Sequence, residues 1–206
     1  MPEREHPEKD SMDSERIVGE VVDLIVELGL VDPDTIPPTC LVNSLDEPLS
    51  SYEDTEQAAV LSLLCDLGIG YIFDHKTFRH INTCTDDERR QRYESELQSL
   101  AACSRGMVTI GNVRLVEGDT TWELRFDCNG VTKWWPVYPG HEQENIEASL
   151  VFATYLSGLT TDLVEQFCSV DLDSYDEYLS EVIVFGDPQA LNRLGAQFGL
   201  TFEPPL

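Results

Sequence analysis

The dipeptide Asn129-Gly130 constrains the fold of this chain more than any other feature, because alternating polar and apolar residues flank it on both sides. The two central positions of a tight hairpin turn need positive φ angles, which Asn and Gly adopt readily. The dipeptide therefore predicts an antiparallel hairpin over residues 120–139. The expected register pairs Cys128 with Val131, Phe126 with Lys133, Leu124 with Trp135 and Trp122 with Val137.

This register sorts the hairpin into two faces, because successive side chains on a strand point in opposite directions. One face is predicted to join the core and is interrupted by Lys133, whose alkyl chain can lie along apolar neighbours while its charge reaches water. The apolar residues of this face are Trp122, Leu124, Phe126, Cys128, Val131, Trp135 and Val137.

Trp134 points to the opposite face, where the register places it across from Arg125. A guanidinium over an indole ring is a favourable cation–π geometry. Two placements of Trp134 are open: a helix covers it, or it is exposed as an anchor for a binding partner.

Helical periodicity and capping signals surround the hairpin. A single apolar stripe predicts a first helix over residues 13–30, Thr85 and Glu88 form a capping box for a helix that ends near Cys103, and Asp187-Pro188 begins a helix that ends near Phe198. Three further helices are expected. One follows a cap at residues 51–54 and ends near Leu67, one covers residues 142–157 and one covers residues 161–168. Strands outside the hairpin are expected at residues 69–73, 78–81, 107–116, 181–185 and 200–202, and the first two are expected to pair across a polar turn.

This order of elements predicts an α+β fold, with a central antiparallel sheet that contains the Trp-rich hairpin and is packed by several helices. Residues 1–12 are expected to be a disordered acidic tail, and residues 13–206 a single α+β domain. Within that domain, residues 13–84 supply a helical N-terminal portion and residues 85–206 supply the sheet-containing core.

The charge of the chain is strongly negative and unevenly placed. There are 13 Lys and Arg against 39 Asp and Glu, which gives a formal net charge of −26. Residues 1–60 carry 3 basic and 16 acidic side chains, residues 61–140 carry 9 and 11, and residues 141–206 carry 1 and 12. Such a chain repels nucleic acids and anionic membranes and attracts basic partners.

We therefore expect a basic protein partner, and no binding to nucleic acid or membrane. The first choice for the contact is the acidic segment 171–181, and the acids of the first helix are the second choice. The candidate partner-binding residues are Asp171, Asp173, Asp176, Glu177, Glu181 and Trp134. The alternative interpretation is that the acids form solvated faces that keep the protein soluble.

Motifs for catalysis or metal binding are missing from the sequence, so we expect a protein that is not an enzyme, with no cofactor, no metal and no catalytic residue. An EF-hand loop that begins at Asp171 needs Gly at 176 and Glu at 182, where this chain has Asp176 and Val182. The spacing of the possible zinc ligands fits no recognised site. Those residues are Cys65, His75, His80 and Cys84.

The cysteines and the N-terminus indicate an intracellular protein. The six cysteines are scattered, which favours buried free thiols over a disulfide framework. The first residues are polar and contain two prolines, unlike a secretory signal, and no apolar run approaches the roughly 18 residues of a membrane span. We expect a cytoplasmic location.

Residues 86–203 resemble bacterial immunity proteins of polymorphic toxin systems. The resemblance rests on the strand Trp122-Glu-Leu-Arg-Phe126, the Asn-Gly turn, the Trp-containing return strand and long helix, and the closing strand, helix through 190–194 and strand 200–202. It implies a small, acidic, cytoplasmic, non-catalytic protein that neutralises a toxin.

The leading hypothesis is an immunity-type inhibitor that occludes the active site of a basic bacterial toxin with an acidic surface. A nucleic-acid-targeting enzyme is the obvious cationic partner, because carboxylates mimic phosphates. Two alternatives stand beside it: a metal-dependent hydrolase that uses Asp171, Asp173 and Asp176, and an acidic scaffold or regulatory module.

Titration with divalent cations separates the hydrolase from the other hypotheses. We expect no binding heat when calcium, magnesium or manganese is titrated into the protein in a calorimeter, because the spacing of the carboxylates fits no metal loop. Saturable heat with any of the three ions, abolished by Asp173→Asn, would favour the hydrolase.

Overall fold

The structure is a computed structural model that describes residues 8–36, 56–72, 81–119, 121–139, 152, 154–160, 162–172 and 182–203. Its α-helices in these ranges are α1 (Glu8–Glu27), α2 (Glu56–Asp66), α3 (Asp86–Cys103) and α4 (Pro188–Phe198). Short 3-10 helices cover Pro33–Thr35, Ile81–Thr83 and Leu156–Leu159. The strands are β1 (Gly70–Ile72), β2 (Ile110–Val116), β3 (Trp122–Cys128), β4 (Val131–Val137), β5 (Gln166–Leu172), β6 (Val182–Gly186) and β7 (Leu200–Glu203).

The strands form two antiparallel sheets. The four-stranded sheet has the order β1-β6-β5-β7, and the three-stranded sheet has the order β2-β3-β4. The predicted α+β class is confirmed, and the Trp-rich hairpin is present as β3 and β4. The hairpin belongs to the smaller of the two sheets.

Strand β6 lies between two hydrophobic cores. All five of its residues are buried. Val182 and Val184 belong to one core, whereas Ile183 and Phe185 belong to the other. Alternate side chains of a strand point to opposite faces, so a strand covered on both faces has an uninterrupted apolar sequence. The four-stranded sheet therefore separates the two cores.

The first of these, the helical core, is formed by α1, α2 and α4 against one face of the four-stranded sheet. Each helix contributes buried residues spaced three or four positions apart, which places them on one side of the helix. They include Val21 and Ile25 of α1, Leu61 and Leu64 of α2, and Leu191 and Leu194 of α4.

The second core lies between the other face of that sheet, α3 and the inner face of the three-stranded sheet. Trp135 is at its centre, with ring centroids 4.9 Å from Phe126 and 5.1 Å from Phe152, both in edge-to-face geometry. Edge-to-face pairs bring the positive edge of one ring to the negative face of another. Tyr93 and Leu97 of α3 are buried in the same core.

The hairpin has the predicted register, from Cys128 opposite Val131 to Trp122 opposite Val137. The φ angles of Asn129 and Gly130 are 51° and 79°, as the tight turn requires. Val131 is 61% exposed, although it shares the inner face with buried residues. The ammonium of Lys133 was expected to reach water. It instead donates a hydrogen bond, at 2.6 Å, to the carbonyl of Gly158 in a 3-10 helix.

Arg105, which follows α3, links the end of α1 to the four-stranded sheet. Its guanidinium donates a hydrogen bond to the carbonyl of Leu30, just after α1, and forms a salt bridge with Glu165, just before β5. The same group lies 5.9 Å from the ring centroid of Phe185 in β6. One side chain thus contacts the segment after α1, the four-stranded sheet and the segment that leads into that sheet.

The prediction of a short helix over residues 161–168 is wrong, because β5 begins at Gln166. Phe167 belongs to the second core, whereas Cys168 and Val170 belong to the helical core. This alternation becomes visible only when the segment is followed beyond Cys168. A window that ends at residue 168 cuts the strand after its third residue.

The N-terminal portion also contributes to the central sheet. The expected partner of β1 was the strand at residues 78–81, but β1 pairs with β6, with Gly70 opposite Val184. Ile81 begins a 3-10 helix, and residues 78–80 lie outside the described residues. The division at residue 84 therefore does not separate helices from sheet.

Two predicted helices have different or partly described bounds. Helix α1 begins at Glu8, five residues before the predicted start and within the stretch assigned to a disordered tail. Of the helix predicted over residues 142–157, residues 152 and 154–155 are helical and precede the 3-10 helix. The other residues of that prediction before the 3-10 helix lie outside the described ranges.

Two glycine substitutions test the packing of the helical layer. A Cβ at Gly195 would lie 2.1 Å from the carbonyl oxygen of Leu200, whereas a Cβ at Gly19 would meet nothing within 4 Å. We expect Gly195→Ala to lower the free energy of unfolding by about 1–3 kcal/mol through overpacking. Gly19→Ala should raise it by roughly 0.5–1 kcal/mol through helix propensity. Urea denaturation measures both, and equal effects of the same sign would contradict the packing.

Candidate protein-binding surfaces

The acidic segment predicted as the first-choice contact lies in the chain between β5 and β6. Asp171 is a residue of β5, where it is paired with Thr201 of β7. The other four predicted acids of this segment lie outside the described residues: Asp173, Asp176, Glu177 and Glu181.

The second-choice contact, the acids of the first helix, is described at Glu20, Asp23 and Glu27 of α1. We group these three with four exposed acids of the following loop and of α2, and call the group the acidic helical face. Its seven carboxylates are exposed, and residues 18–36 and 56–72 contain no Lys or Arg. The acidic helical face consists of Glu20, Asp23, Glu27, Asp32, Asp34, Glu56 and Asp66.

Helix α1 aligns three of these acids because its other side is buried. Val21 and Ile25 have no exposed area, so positions 20, 23 and 27, spaced three and four residues apart, share a solvent-facing stripe. Arg193 of α4 approaches this stripe, with its guanidinium 4.0 Å from the Glu27 carboxylate. Both side chains of that pair are about 70% exposed (68% and 71%), so water screens their attraction strongly.

Trp134 is 59% exposed on the outer side of the three-stranded sheet. Of the two placements left open by the sequence, burial under a helix is wrong and exposure is confirmed. Arg125 stands opposite Trp134, and Arg114 of β2 stands opposite Arg125. We call this row of three side chains, Arg114, Arg125 and Trp134, the Trp134 row.

Carboxylates beside the Trp134 row are held by neighbours on the same sheet. Glu123 accepts a hydrogen bond from Arg125 at 2.6 Å. Asp127 accepts hydrogen bonds from Asn112 at 2.6 Å and Thr132 at 2.7 Å. Those two hydrogen bonds and, to a smaller extent, the charge of Arg114 lower the pKa of Asp127.

The alignment of the Trp134 row depends on a β-bulge. The register between β2 and β3 shifts by one residue between Gly111 and Arg114, and Asn112 within the bulge has a φ of 53°. Without the shift, Arg114 would stand opposite Leu124 and point to the core. The sequence predicts the pairing of Arg125 with Trp134 but gives no comparable signal for Arg114.

The buried cysteines are poorly suited to nucleophilic or metal chemistry. Cys103 donates its thiol hydrogen to the carbonyl of Gly70 at 3.3 Å, and the sulfur of Cys65 lies against the same glycine. Burial, together with smaller contributions from the neighbouring Cys103 and Asp66, raises the pKa of Cys65 to about 12. Burial likewise raises the pKa of Cys168 to about 12. Thiolates, the reactive and ligating form, are therefore disfavoured.

No group of three or more His, Cys, Asp or Glu side chains in the described ranges is placed to hold a metal ion. His75 and His80 of the predicted zinc set lie outside the described residues, as do Asp173 and Asp176 of the predicted hydrolase site.

No family model, curated protein or solved structure matches the chain. The resemblance to bacterial immunity proteins therefore stays a prediction. Among the described residues, no helix has the length and apolar character needed to cross a membrane.

The buried thiols predict a loss of stability in alkaline solution. An unfolded cysteine ionises near its ordinary pKa of 9.0, whereas folded Cys168 stays protonated up to a pH of about 12. Between these two pH values the folded state holds this proton and the unfolded state has lost it, so rising pH favours unfolding. The free energy of unfolding should therefore fall by about 1 kcal/mol per pH unit for this thiol across that range. Urea denaturation at several pH values measures the slope.

The matched variant is Cys168→Ala, which removes the titrating group. We expect its stability to decline less steeply above a pH of about 9 than that of the unaltered protein, whatever its stability near neutrality. Parallel slopes for the two proteins would show that Cys168 does not contribute.

Proposed function

We propose that this protein is a non-catalytic, immunity-type inhibitor that neutralises a basic bacterial toxin by covering its active site with an acidic surface. The observation that carries the proposal is the acidic helical face, with seven exposed carboxylates and no basic residue in the same two chain segments. Surface charge of one sign speeds the encounter with a partner of opposite charge and selects against other partners.

The arrangement of the acids suits a nucleic-acid-targeting toxin. Along the axis of α1, Glu20 and Asp23 are separated by about 4.5 Å, and Asp23 and Glu27 by about 6 Å. A row of exposed carboxylates presents negative charge in line, as a nucleic acid backbone does, to a cationic active site. In this proposal the inhibitor competes with the substrate for the same basic side chains.

The proposal also includes the acidic segment predicted from the sequence. This segment adds five carboxylates, one in β5 and four in the chain between β5 and β6: Asp171, followed by Asp173, Asp176, Glu177 and Glu181. The partner is a basic protein in the cytoplasm, and neither a cofactor nor a catalytic residue is required.

The test uses the toxin domain encoded by the gene immediately upstream, produced with its active site inactivated. We expect binding to weaken by about tenfold or more between about 50 and about 500 mM salt, because the screening length shortens well below the size of the interface. A salt-independent affinity would remove the electrostatic mechanism. The proposed class would be overturned if no toxin gene lies at that position and the protein does not rescue cells that express basic bacterial toxins.

Two matched triple variants locate the interface. Glu20→Gln, Asp23→Asn and Glu27→Gln remove three charges from the acidic helical face. Asp87→Asn, Glu117→Gln and Asp119→Asn remove three exposed charges from the layer of the second core. We expect the first set to weaken toxin binding by about tenfold and the second by about twofold or less, because both change the net charge equally but only the first lies at the contact. Equal losses would contradict an interface on α1.

A further inference from the structure

We propose that the outer side of the three-stranded sheet is a second docking surface, which binds a protein segment that presents a carboxylate beside an apolar side chain. Its centre is the Trp134 row. The inference goes beyond the inhibitor proposed above and does not depend on it, since the Trp134 row belongs to the layer of the second core and the acidic helical face to the helical layer.

The apolar part of the surface is Trp134. This residue is 59% exposed and lies in the middle of a strand, next to Trp135, which is buried in the second core. A large aromatic side chain held by a regular strand loses little conformational freedom on binding. Trp and Arg are the side chains most enriched at the energetic centres of protein interfaces.

The charged part of the surface is the pair of arginines. Arg114 stands directly opposite Arg125, and like charges in this position destabilise a sheet. Glu123 balances Arg125 at 2.6 Å, whereas no salt bridge to Arg114 is present in the part of the chain that the structure describes. A carboxylate supplied by a partner would form a direct ion pair with Arg114 beside the indole.

The nearby Asp127 acts on Arg114 through its charge, but its carboxylate is hydrogen-bonded to other neighbours, so a direct ion pair to Arg114 is absent among the described residues. Asp127 accepts hydrogen bonds from Asn112 and Thr132. The bulge that turns Arg114 outward is fixed at Asn112 by the first of these bonds. Bulges commonly redirect a side chain at binding sites, and a pre-arranged surface loses less entropy when it binds.

A protein segment fits this surface better than a nucleic acid. The two arginines are matched by two carboxylates, Glu123 and Asp127, so the local charge is close to neutral, and the chain as a whole has a net charge of −26. Single-stranded nucleic acids need a continuous basic groove in addition to an aromatic platform. One carboxylate next to an apolar side chain needs only one arginine and one indole.

The experiment is a selection with phage-displayed random short peptides on the full-length protein, with counter-selection on the Trp134→Thr variant. Threonine favours strands, so this change removes the indole and keeps the sheet, which thermal denaturation verifies. We expect the enriched peptides to share Asp or Glu within a few residues of an aromatic or aliphatic residue. The best synthetic peptide should bind Trp134→Thr and Arg114→Gln about tenfold more weakly than the unaltered protein.

A charge exchange makes the test specific for Arg114. Arg114→Glu should weaken the acidic peptide by about tenfold or more, and a peptide with Lys in place of its acid should recover most of that loss on the Arg114→Glu variant. Arg193→Gln, an exposed arginine on α4, is the matched control and should change the affinity by about twofold or less.

Three results would overturn this inference: enriched peptides without a shared acid, equal affinity for Arg114→Gln and the unaltered protein, or Trp134-dependent binding of a fluorescent oligothymidine in place of peptides. None of them bears on the toxin test. Loss of toxin binding in the α1 variants with no peptide selection here would leave the proposed inhibitor intact and remove only the second surface.

Discussion

The burial of β6 on both faces is the constraint on which the rest of the structure depends. Val182 and Val184 need the helices on one side, and Ile183 and Phe185 need α3 and the hairpin on the other. Neither layer alone would bury this strand. The acids of α1 therefore lie on the solvent side of that helix, and the Trp134 row lies on the outer side of the smaller sheet.

Local signals predicted the elements whose geometry is decided by a few neighbouring residues. Asn129-Gly130 specified the turn and thereby every pair of the hairpin, and the capping box of Thr85 and Glu88 is present at the start of α3. The Asp187 cap of α4 is present as well, with its side chain accepting from the backbone of Gln189. In each case the responsible residues are within a few positions of one another.

The parts that the sequence could not predict depend on distant partners. β1 could have paired with a nearby segment, and only the packing of two cores selects β6 instead. Successive side chains of β5 point into those two cores, and this alternation cannot be recognised from the sequence because both cores are built by distant segments. At the candidate sites, the exposure of Trp134 depends on what covers the sheet, and the outward direction of Arg114 depends on a one-residue shift against β3.

The pairing of β1 with β6 also has a consequence for how the chain folds. Gly70 and Val184 are 114 positions apart in the chain, and contacts between distant residues slow folding because a large loop must close first. During synthesis α1, α2 and β1 leave the ribosome long before β6, α4 and β7. The apolar sides of α1 and α2 are therefore exposed until the rest of the sheet has been synthesised. The acidic residues beside them should oppose association of the unfinished chain with other chains.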